Sequence, residues 1–187
     1  YYCFPFIRGS KYLQCTSGLF YRKDLLAAAG YTGELETIDD WTAALTALKN
    51  HGVKYPMTGQ MNDIMSGTMN AYNIRPNMYI SDADGKVHFS FAEEGYKQWI
   101  TQMHEWVEAG LLDPDVPTYN NRDTIQQYML AGDSAVTYAA GGGQLGTWNN
   151  TAWAEPDTYG KDFELVAAQF PVAKSGDVVK YGGASHD

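Results

Sequence analysis

The sequence has little positive charge. Its 187 residues include 13 Lys and Arg against 22 Asp and Glu, which gives a net charge of −9. The longest basic cluster is the pair Arg22-Lys23. Because contacts with nucleic-acid phosphates need a basic face, this balance argues against nucleic acid as a partner. It favours small neutral or cationic partners instead.

Cysteine is also scarce. The chain contains only Cys3 and Cys15, and their spacing matches no metal-binding or redox motif. Few cysteines are typical of a reducing compartment, and also of many exported bacterial proteins. A disulfide between them requires residues 1–6 and 12–21 to lie side by side, and two buried thiols are the alternative. The sequence leaves both arrangements open.

Long hydrophobic runs are missing. No apolar run approaches the ~18 residues of a membrane span, and no signal peptide is evident. Hydrophobic residues make up 44% and charged residues 19% of the chain, which is a globular composition. The chain begins inside a strand-like run and ends soon after another. We therefore expect it to be an excised part of a larger protein.

The signatures of common enzyme classes are absent. There are four histidines, and His104-Glu105 is not followed by the second histidine of a zinc-protease helix. Neither a P-loop nor a G-x-S-x-G turn occurs. The paired acids Asp39-Asp40 and Glu93-Glu94 fall at predicted helix starts, where they offset the helix dipole. We predict no catalytic residues and no cofactor, although two carboxylates brought together in space for glycoside hydrolysis are not excluded.

A glycine-rich stretch after a short apolar run matches the dinucleotide fingerprint G-x-G-x-x-G at Gly141, Gly143 and Gly146. In dinucleotide-binding folds an acidic residue ends the next strand about 20 residues later. Here the next predicted strand ends in Gln169-Phe170 instead. NAD binding is therefore not expected. The glycines still allow a ligand to approach the backbone closely, and they can present free N–H groups.

Aromatic residues are abundant, with 14 Tyr, 7 Phe and 5 Trp. Most of them must fill the core. A surplus of Tyr and Trp also suits sugars, because each ring offers an apolar face and a hydrogen-bonding edge.

Hydrophobic periodicity and turn signals predict short strands that alternate with helices, the pattern of an α/β layered domain. Strands are predicted at 1–7, 13–21, 53–59, 134–138, 163–172 and 178–183. Helices are predicted at 22–30, 37–52, 62–73, 90–110 and 120–132. Thr37 with Asp40 and Ser90 with Glu93 have the spacing of capping boxes.

A hairpin is predicted at 79–91, with its turn at Asp82-Ala-Asp-Gly-Lys86. The turn weakly resembles a calcium-binding loop. Lys86 stands where such a loop wants an acid, so we expect a plain turn and no metal site.

Five segments, in order, resemble segments of the extracellular solute-binding proteins of ABC transporters, family 1, the maltose-binding-protein-like class. They are GLFYRKDLLAAAG, TIDDWTAALTALKNHGVKYPMTG, YKQWITQMHEWVEAGLLDPDV, MLAGDSAVTYAAGG and FELVAAQFPV with the later YGG. Each motif alone is weak, but five in the family's order are fairly specific. The likeness runs from about residue 11 to residue 183.

The resemblance implies a type II periplasmic-binding-protein fold, in which two α/β lobes close on a ligand. Residues 1–187 would form the second lobe alone, a mixed sheet flanked by helices, with hinge-crossing segments at 1–12 and 178–187. The implied function is that of the solute-binding component of an ABC importer. Such a protein binds a small polar solute in the cleft between the lobes, and a sugar or oligosaccharide is the solute that we expect. The implied partners are permease subunits. The implied location is extracellular or periplasmic, as a lipoprotein held at the membrane by a lipid anchor outside this chain. The alternative is a fragment of a secreted glycan-processing hydrolase.

The resemblance also assigns candidate ligand-binding residues. Gln60, Asn62 and Asp63 match the family's cleft loop, and a polar loop with a helix cap is their alternative role. Tyr138 ends the strand that points at the ligand, unless it is a core residue. Gly141 and Gly142 stand where some members carry a stacking aromatic residue, so this chain departs from the pattern there. Trp148 would replace that aromatic residue, with a core position as the alternative.

Overall fold

The computed structural model of the chain describes residues 17–81 and 84–177. The predicted strands at 1–7 and 178–183, both hinge-crossing segments and the pairing of Cys3 with Cys15 lie outside the described residues.

A four-stranded mixed sheet forms the centre of the fold. The strands among the described residues are β1 (Ser17–Arg22), β2 (Tyr55–Met57), β3 (Met78–Ile80), β4 (Val87–Phe89), β5 (Ser134–Ala140) and β6 (Leu165–Ala167). The sheet has the order β2-β5-β1-β6, and β3 and β4 form the predicted antiparallel hairpin apart from it. Strand β5 runs parallel to β2, and β1 runs antiparallel to both β5 and β6. The expectation of a mixed sheet is confirmed.

Helices cover the sheet. Those among the described residues are α1 (Lys23–Ala28), α2 (Ile38–His51), α3 (Met61–Thr68), α4 (Glu94–Glu108), α5 (Asp123–Ala131), α6 (Gly146–Ala154) and α7 (Pro156–Tyr159). Helix α2 has the predicted capping box, because Asp40 N–H donates to Thr37 Oγ1 at 3.2 Å and Thr37 N–H donates to Asp40 Oδ2 at 2.8 Å. It ends at Gly52, whose φ of 108° favours glycine.

The predicted capping box at Ser90 is wrong. Residues 90–92 form a 3₁₀ turn, and α4 begins only at Glu94, with no side-chain cap from Glu93. The Ser90 hydroxyl donates instead to the carbonyl oxygen of Asn77 across the hairpin. A tertiary hydrogen bond has therefore replaced the local cap.

Two hydrophobic clusters fill the core. Strand β1 contributes to both, since Leu19 lies in the first cluster and Phe20 in the second. The first cluster packs α2, α3 and α4, with Trp41, Trp99 and Trp106 almost fully buried. The second contains these buried residues: Phe20, Ile125, Met129, Leu130, Ala139, Trp148, Ala152, Phe163 and Leu165. Because alternate side chains of a strand point to opposite faces, the sheet is covered on both sides.

A buried amide attaches α6 to the edge of the sheet. Asn149 Nδ2 donates to the Leu165 carbonyl at 2.8 Å, and Leu165 N–H donates to Asn149 Oδ1 at 2.9 Å. Strand β6 is only three residues long, rather than the ten predicted at 163–172. Its backbone then passes through Ala168, whose N–H donates to the Leu19 carbonyl at 2.9 Å.

Candidate functional site

The carboxyl ends of β2 and β5 meet at one edge of the sheet, because these two strands are parallel. In open α/β sheets this edge is where ligands bind. Six predicted candidates lie at this edge: Tyr138 near the end of β5, and Gln60, Asn62, Asp63, Gly141 and Gly142 in the residues that follow the two strands. We call this region the strand-end surface and define it as residues 58–63 and 138–144 together with Arg122.

Gln60 and Asp63 close the start of α3. Gln60 occupies the cap position, and its N–H donates to Asp63 Oδ2 at 3.3 Å. Gln60 Nε2 also makes a long hydrogen bond, 3.4 Å, to the Tyr119 carbonyl. The two residues therefore act as the helix cap that the sequence allowed, while Asn62 beside them is exposed. Capping does not stop Gln60 from meeting a ligand, since its side chain is only partly buried.

Arg122, which was not predicted, joins two of the predicted segments. Its Nη2 donates to Asp63 Oδ1 at 2.7 Å, and its Nη1 donates to the Tyr138 carbonyl at 3.1 Å. The Asp63 side chain is 9% exposed and that of Arg122 is 31% exposed. Burial raises the pKa of Asp63, and the hydrogen bond and charge of Arg122 act against this rise. Arg122 stands just before α5, far from either partner in the chain, so no local pattern marks it.

Tyr138 lies near the end of β5 and is partly buried. Its ring centroid is 6.2 Å from that of Phe170, and it packs against the first core cluster. Gly67 on α3 permits this packing, because a Cβ there would lie 3.4 Å from Tyr138 Cδ2 and 2.8 Å from Leu19 Cδ2. Tyr138 thus has a core side and a partly accessible side.

The glycine-rich stretch forms one π-helical turn, Gly141–Leu145, before α6 begins at Gly146. A Cβ placed on Gly142 would meet no atom within 4 Å, so the space beside this backbone is open. Gln144 closes the turn, with its Oε1 accepting from Ala140 N–H at 3.0 Å. A ligand could therefore reach the Gly142 backbone without displacing a side chain.

Trp148 does not lie on the strand-end surface. It is 2% exposed and belongs to the second core cluster. Of its two proposed roles, the core position describes the structure, because a ligand cannot stack on a ring covered by other side chains. We leave Trp148 out of the proposed contacts.

A buried carboxylate supports the surface from below. Asp113 is 0% exposed, and its Oδ2 accepts from Thr58 Oγ1 and from the Tyr119 hydroxyl, each at 2.8 Å. Its Oδ1 accepts from Asp115 N–H at 3.0 Å. Burial first, and then the hydrogen bond to Asp113, raise the pKa of Tyr119. Because Tyr119 in turn contacts Gln60, this network fixes the loop that follows β2.

The family model described as "Bacterial extracellular solute-binding protein" matches residues 2–184 of the chain. The chain belongs to this family. A search among curated proteins gave no match.

Solved structures of solute-binding proteins share the fold. The alginate-binding protein AlgQ2, crystallised without calcium ion, has a TM-score of 0.68 at 21% identity, and the match covers 82% of this chain and 32% of that one. The GacH receptor of Streptomyces glaucescens, solved unliganded and with acarbose, has a TM-score of 0.63 at 14% identity, covering 86% of this chain and 38% of that one. The sugar-binding protein MalE from Xanthomonas citri has a TM-score of 0.60 at 19% identity, covering 84% and 38%.

These likenesses confirm the predicted class, a type II periplasmic-binding-protein fold with a mixed sheet flanked by helices. The chain spans between about a third and two fifths of the length of these three structures. The family and the similar structures are binding proteins. The family is an extracellular one. None of the helices in the described ranges is long and apolar enough to cross a membrane.

The strand-end surface is equipped for reversible contacts. It offers side-chain amides, a partly exposed aromatic ring, an accessible backbone and one paired charge. Within residues 17–81 and 84–177, no three His, Cys, Asp or Glu side chains are grouped so as to hold a metal ion.

Two depressions of about 510 and 600 Å³ lie elsewhere, beside α1. Two of the polar groups that line them are engaged, since Lys23 pairs with Glu164 at 2.9 Å and the Tyr31 hydroxyl donates to the Glu34 carbonyl at 2.8 Å. Both are lined by Lys23, which follows the end of β1 that lies away from the strand-end surface. For these reasons we take the strand ends as the candidate site.

Proposed function

We propose that this chain is the second lobe of the solute-binding component of an ABC importer, and that its strand-end surface binds one side of a small sugar or oligosaccharide. The observation that carries the proposal is the meeting of Gln60, Asp63, Arg122, Tyr138 and the open backbone of Gly142 at the carboxyl ends of β2 and β5. Among similar structures, one is an alginate-binding protein and another was solved with acarbose, which supports a carbohydrate ligand.

The chemistry of the surface suits a sugar. Sugars present hydroxyl groups around a ring and apolar C–H groups on its faces. Gln60 and Asn62 supply amide donors and acceptors, and Gly142 supplies backbone groups for the hydroxyls. Tyr138 supplies an aromatic surface for a C–H face. Arg122 holds Asp63 and the end of β5 in place while these contacts form.

In the proposed mechanism the solute bridges two lobes and shifts the protein towards its closed form, which then docks on the permease subunits. The binding protein itself makes and breaks no covalent bond. Residues 1–12 and 178–187 are proposed to cross the hinge. We propose an extracellular or periplasmic location, with a lipid anchor outside this chain and with no nucleic-acid partner.

The first test is a calorimetric titration of the full-length protein with a panel of neutral and acidic oligosaccharides. We expect at least one sugar to bind with micromolar affinity, which corresponds to about −8 kcal/mol. The chain alone should bind the same sugar at least about 100-fold more weakly, because half of the contacts are missing and about 2.7 kcal/mol is lost. Equal affinity of the chain and the whole protein would contradict the two-lobe proposal.

The second test locates the contacts. Gln60→Ala should weaken sugar binding by about 10-fold, the loss of one hydrogen bond of about 1.4 kcal/mol. The matched control is Gln98→Ala, which removes an exposed glutamine from α4. Equal affinities of the two variants would place the sugar elsewhere. A parallel assay with chromogenic glycosides should release no chromophore, whereas release would support the glycan-processing hydrolase instead.

A further inference from the structure

The hairpin of β3 and β4 turns its apolar face to solvent. Its cross-strand pairs are Met78 with Phe89 and Ile80 with Val87. These four side chains are 69%, 50%, 64% and 70% exposed, respectively. Because residues two apart on a strand share a face, they form one flat apolar grid.

The opposite face of the hairpin carries the polar pair. Tyr79 and His88 stack with their ring centroids 5.6 Å apart, and both are less exposed than their neighbours. His88 Nδ1 lies 2.8 Å from Glu93 Oε1, and its Nε2 lies 3.2 Å from Asp84 Oδ1. An antiparallel pair with one solvated face normally turns its apolar residues inward. This hairpin has the reverse arrangement, so the described residues leave its apolar face uncovered.

The apolar area continues beyond the hairpin. The Phe91 ring centroid is 5.1 Å from that of Phe89, and Phe91 is 43% exposed. The hairpin patch, defined as the four grid residues with Phe91, exposes on the order of 500 Å², which is large for a patch on a typical monomer. One such patch from each of two copies would bury on the order of 1,000 Å², the least area expected of a biological interface.

We propose that the hairpin patch binds the same patch of a second copy of this chain across a twofold axis. In a twofold interface the same surface of each copy contacts its equivalent on the other copy, so the surface must be self-complementary. None of the five side chains of the patch carries a charge, and they therefore need no complementary set of charges from a different partner. The patch shares no residue with the strand-end surface, so both contacts can be made at once.

The test is the molar mass of the full-length protein in solution, measured by light scattering over a range of concentrations. We expect twice the mass of one copy. Val87→Glu should raise the dimer dissociation constant at least about 100-fold, because a buried unpaired carboxylate is strongly unfavourable. Ala43→Glu adds the same charge at an exposed position of α2 and should leave the dimer intact. Met78→Gln, which adds no charge, should raise the dimer dissociation constant by about 10-fold. It replaces Val87→Glu as the test if the circular dichroism spectrum shows that Val87→Glu disturbs folding.

Three results would overturn the proposal. The first is a protein that stays monomeric at every concentration. The second is a dimer whose dissociation constant is the same in Val87→Glu and Met78→Gln as in Ala43→Glu. The third is a monomer that floats with phosphatidylcholine vesicles and loses this binding in Val87→Glu, because the patch would then face a lipid surface.

Discussion

Replacing Arg122 with methionine tests the central contact of the strand-end surface. Methionine keeps an apolar stem and removes the cation, so the Asp63 carboxylate would stay buried without its partner. Removing one member of a buried ion pair costs about 3–5 kcal/mol, whereas exposed pairs contribute about 0–1 kcal/mol. The Asp63 side chain is 9% exposed and that of Arg122 is 31% exposed, which places this pair between the two cases. We expect a loss of about 2 kcal/mol.

Thermal denaturation measures this loss. For a protein of this size about 2 kcal/mol lowers the melting temperature by about 4–8 °C. Lys97→Met, which removes an exposed cation from α4, is the control and should change stability by less than about 0.5 kcal/mol. A double-mutant cycle with Asp63→Asn isolates the pair. The double variant should be more stable than the sum of the single variants implies, by at least about 1 kcal/mol.

The pH dependence gives an independent check on the same variant. Burial already raises the pKa of Asp63, and without Arg122 the pKa rises further. A carboxyl group with a raised pKa in the folded state takes up a proton more readily there than in the unfolded state. The destabilisation of Arg122→Met should therefore be greatest near neutral pH and should shrink as the pH falls towards the pKa of Asp63. Additive single variants, or a loss of stability that grows in acid, would refute this account of the pair.

Two further predictions follow from buried and paired groups. Glu93 first, and then Asp84, raise the pKa of His88, so its stabilisation of the hairpin is complete below about pH 6.5 and is lost as the pH rises through the raised pKa. Amide-exchange protection factors in β3 and β4 of the wild type should therefore fall as the pH rises through the raised pKa of His88. The same protection factors in His88→Gln should not change over this pH range. Trp148→Ala should cost about 3–5 kcal/mol in unfolding free energy while sugar affinity stays unchanged. Lost affinity with unchanged stability would instead make Trp148 a ligand contact.

The fold was predictable where local signals were strong. Helix α2 runs from Ile38 to His51 between Thr37 and Gly52, as its caps predict. The start of α4 was mispredicted because Ser90 bonds across the hairpin, and no local pattern contains that contact. Strand β6 pairs with β1 over three residues where a strand of ten was predicted. The error at α4 arises because a tertiary hydrogen bond replaces a local one.

The candidate site was predictable only in part. The resemblance to a family pointed to Gln60, Asp63, Tyr138 and the glycines, and the structure brings these residues to one edge of the sheet. Nothing in the sequence near Arg122 indicates that it contacts both Asp63 and the Tyr138 carbonyl, since these partners are 59 and 16 residues away. Periodicity identifies which residues are buried, but it does not pair polar groups across such separations.

The network under the strand-end surface determines where motion can occur. Asp113 ties Thr58 to Tyr119, and Arg122 ties the start of α3 to the end of β5. Three of these four hydrogen bonds join different segments of the chain, which couples the contact groups to the core. A surface fixed in this way loses little conformational entropy when a solute binds. In the two-lobe protein that we propose, the movement that encloses a solute would then come from the hinge between the lobes, and the free energy of binding would favour closure because little of it is spent on ordering this surface.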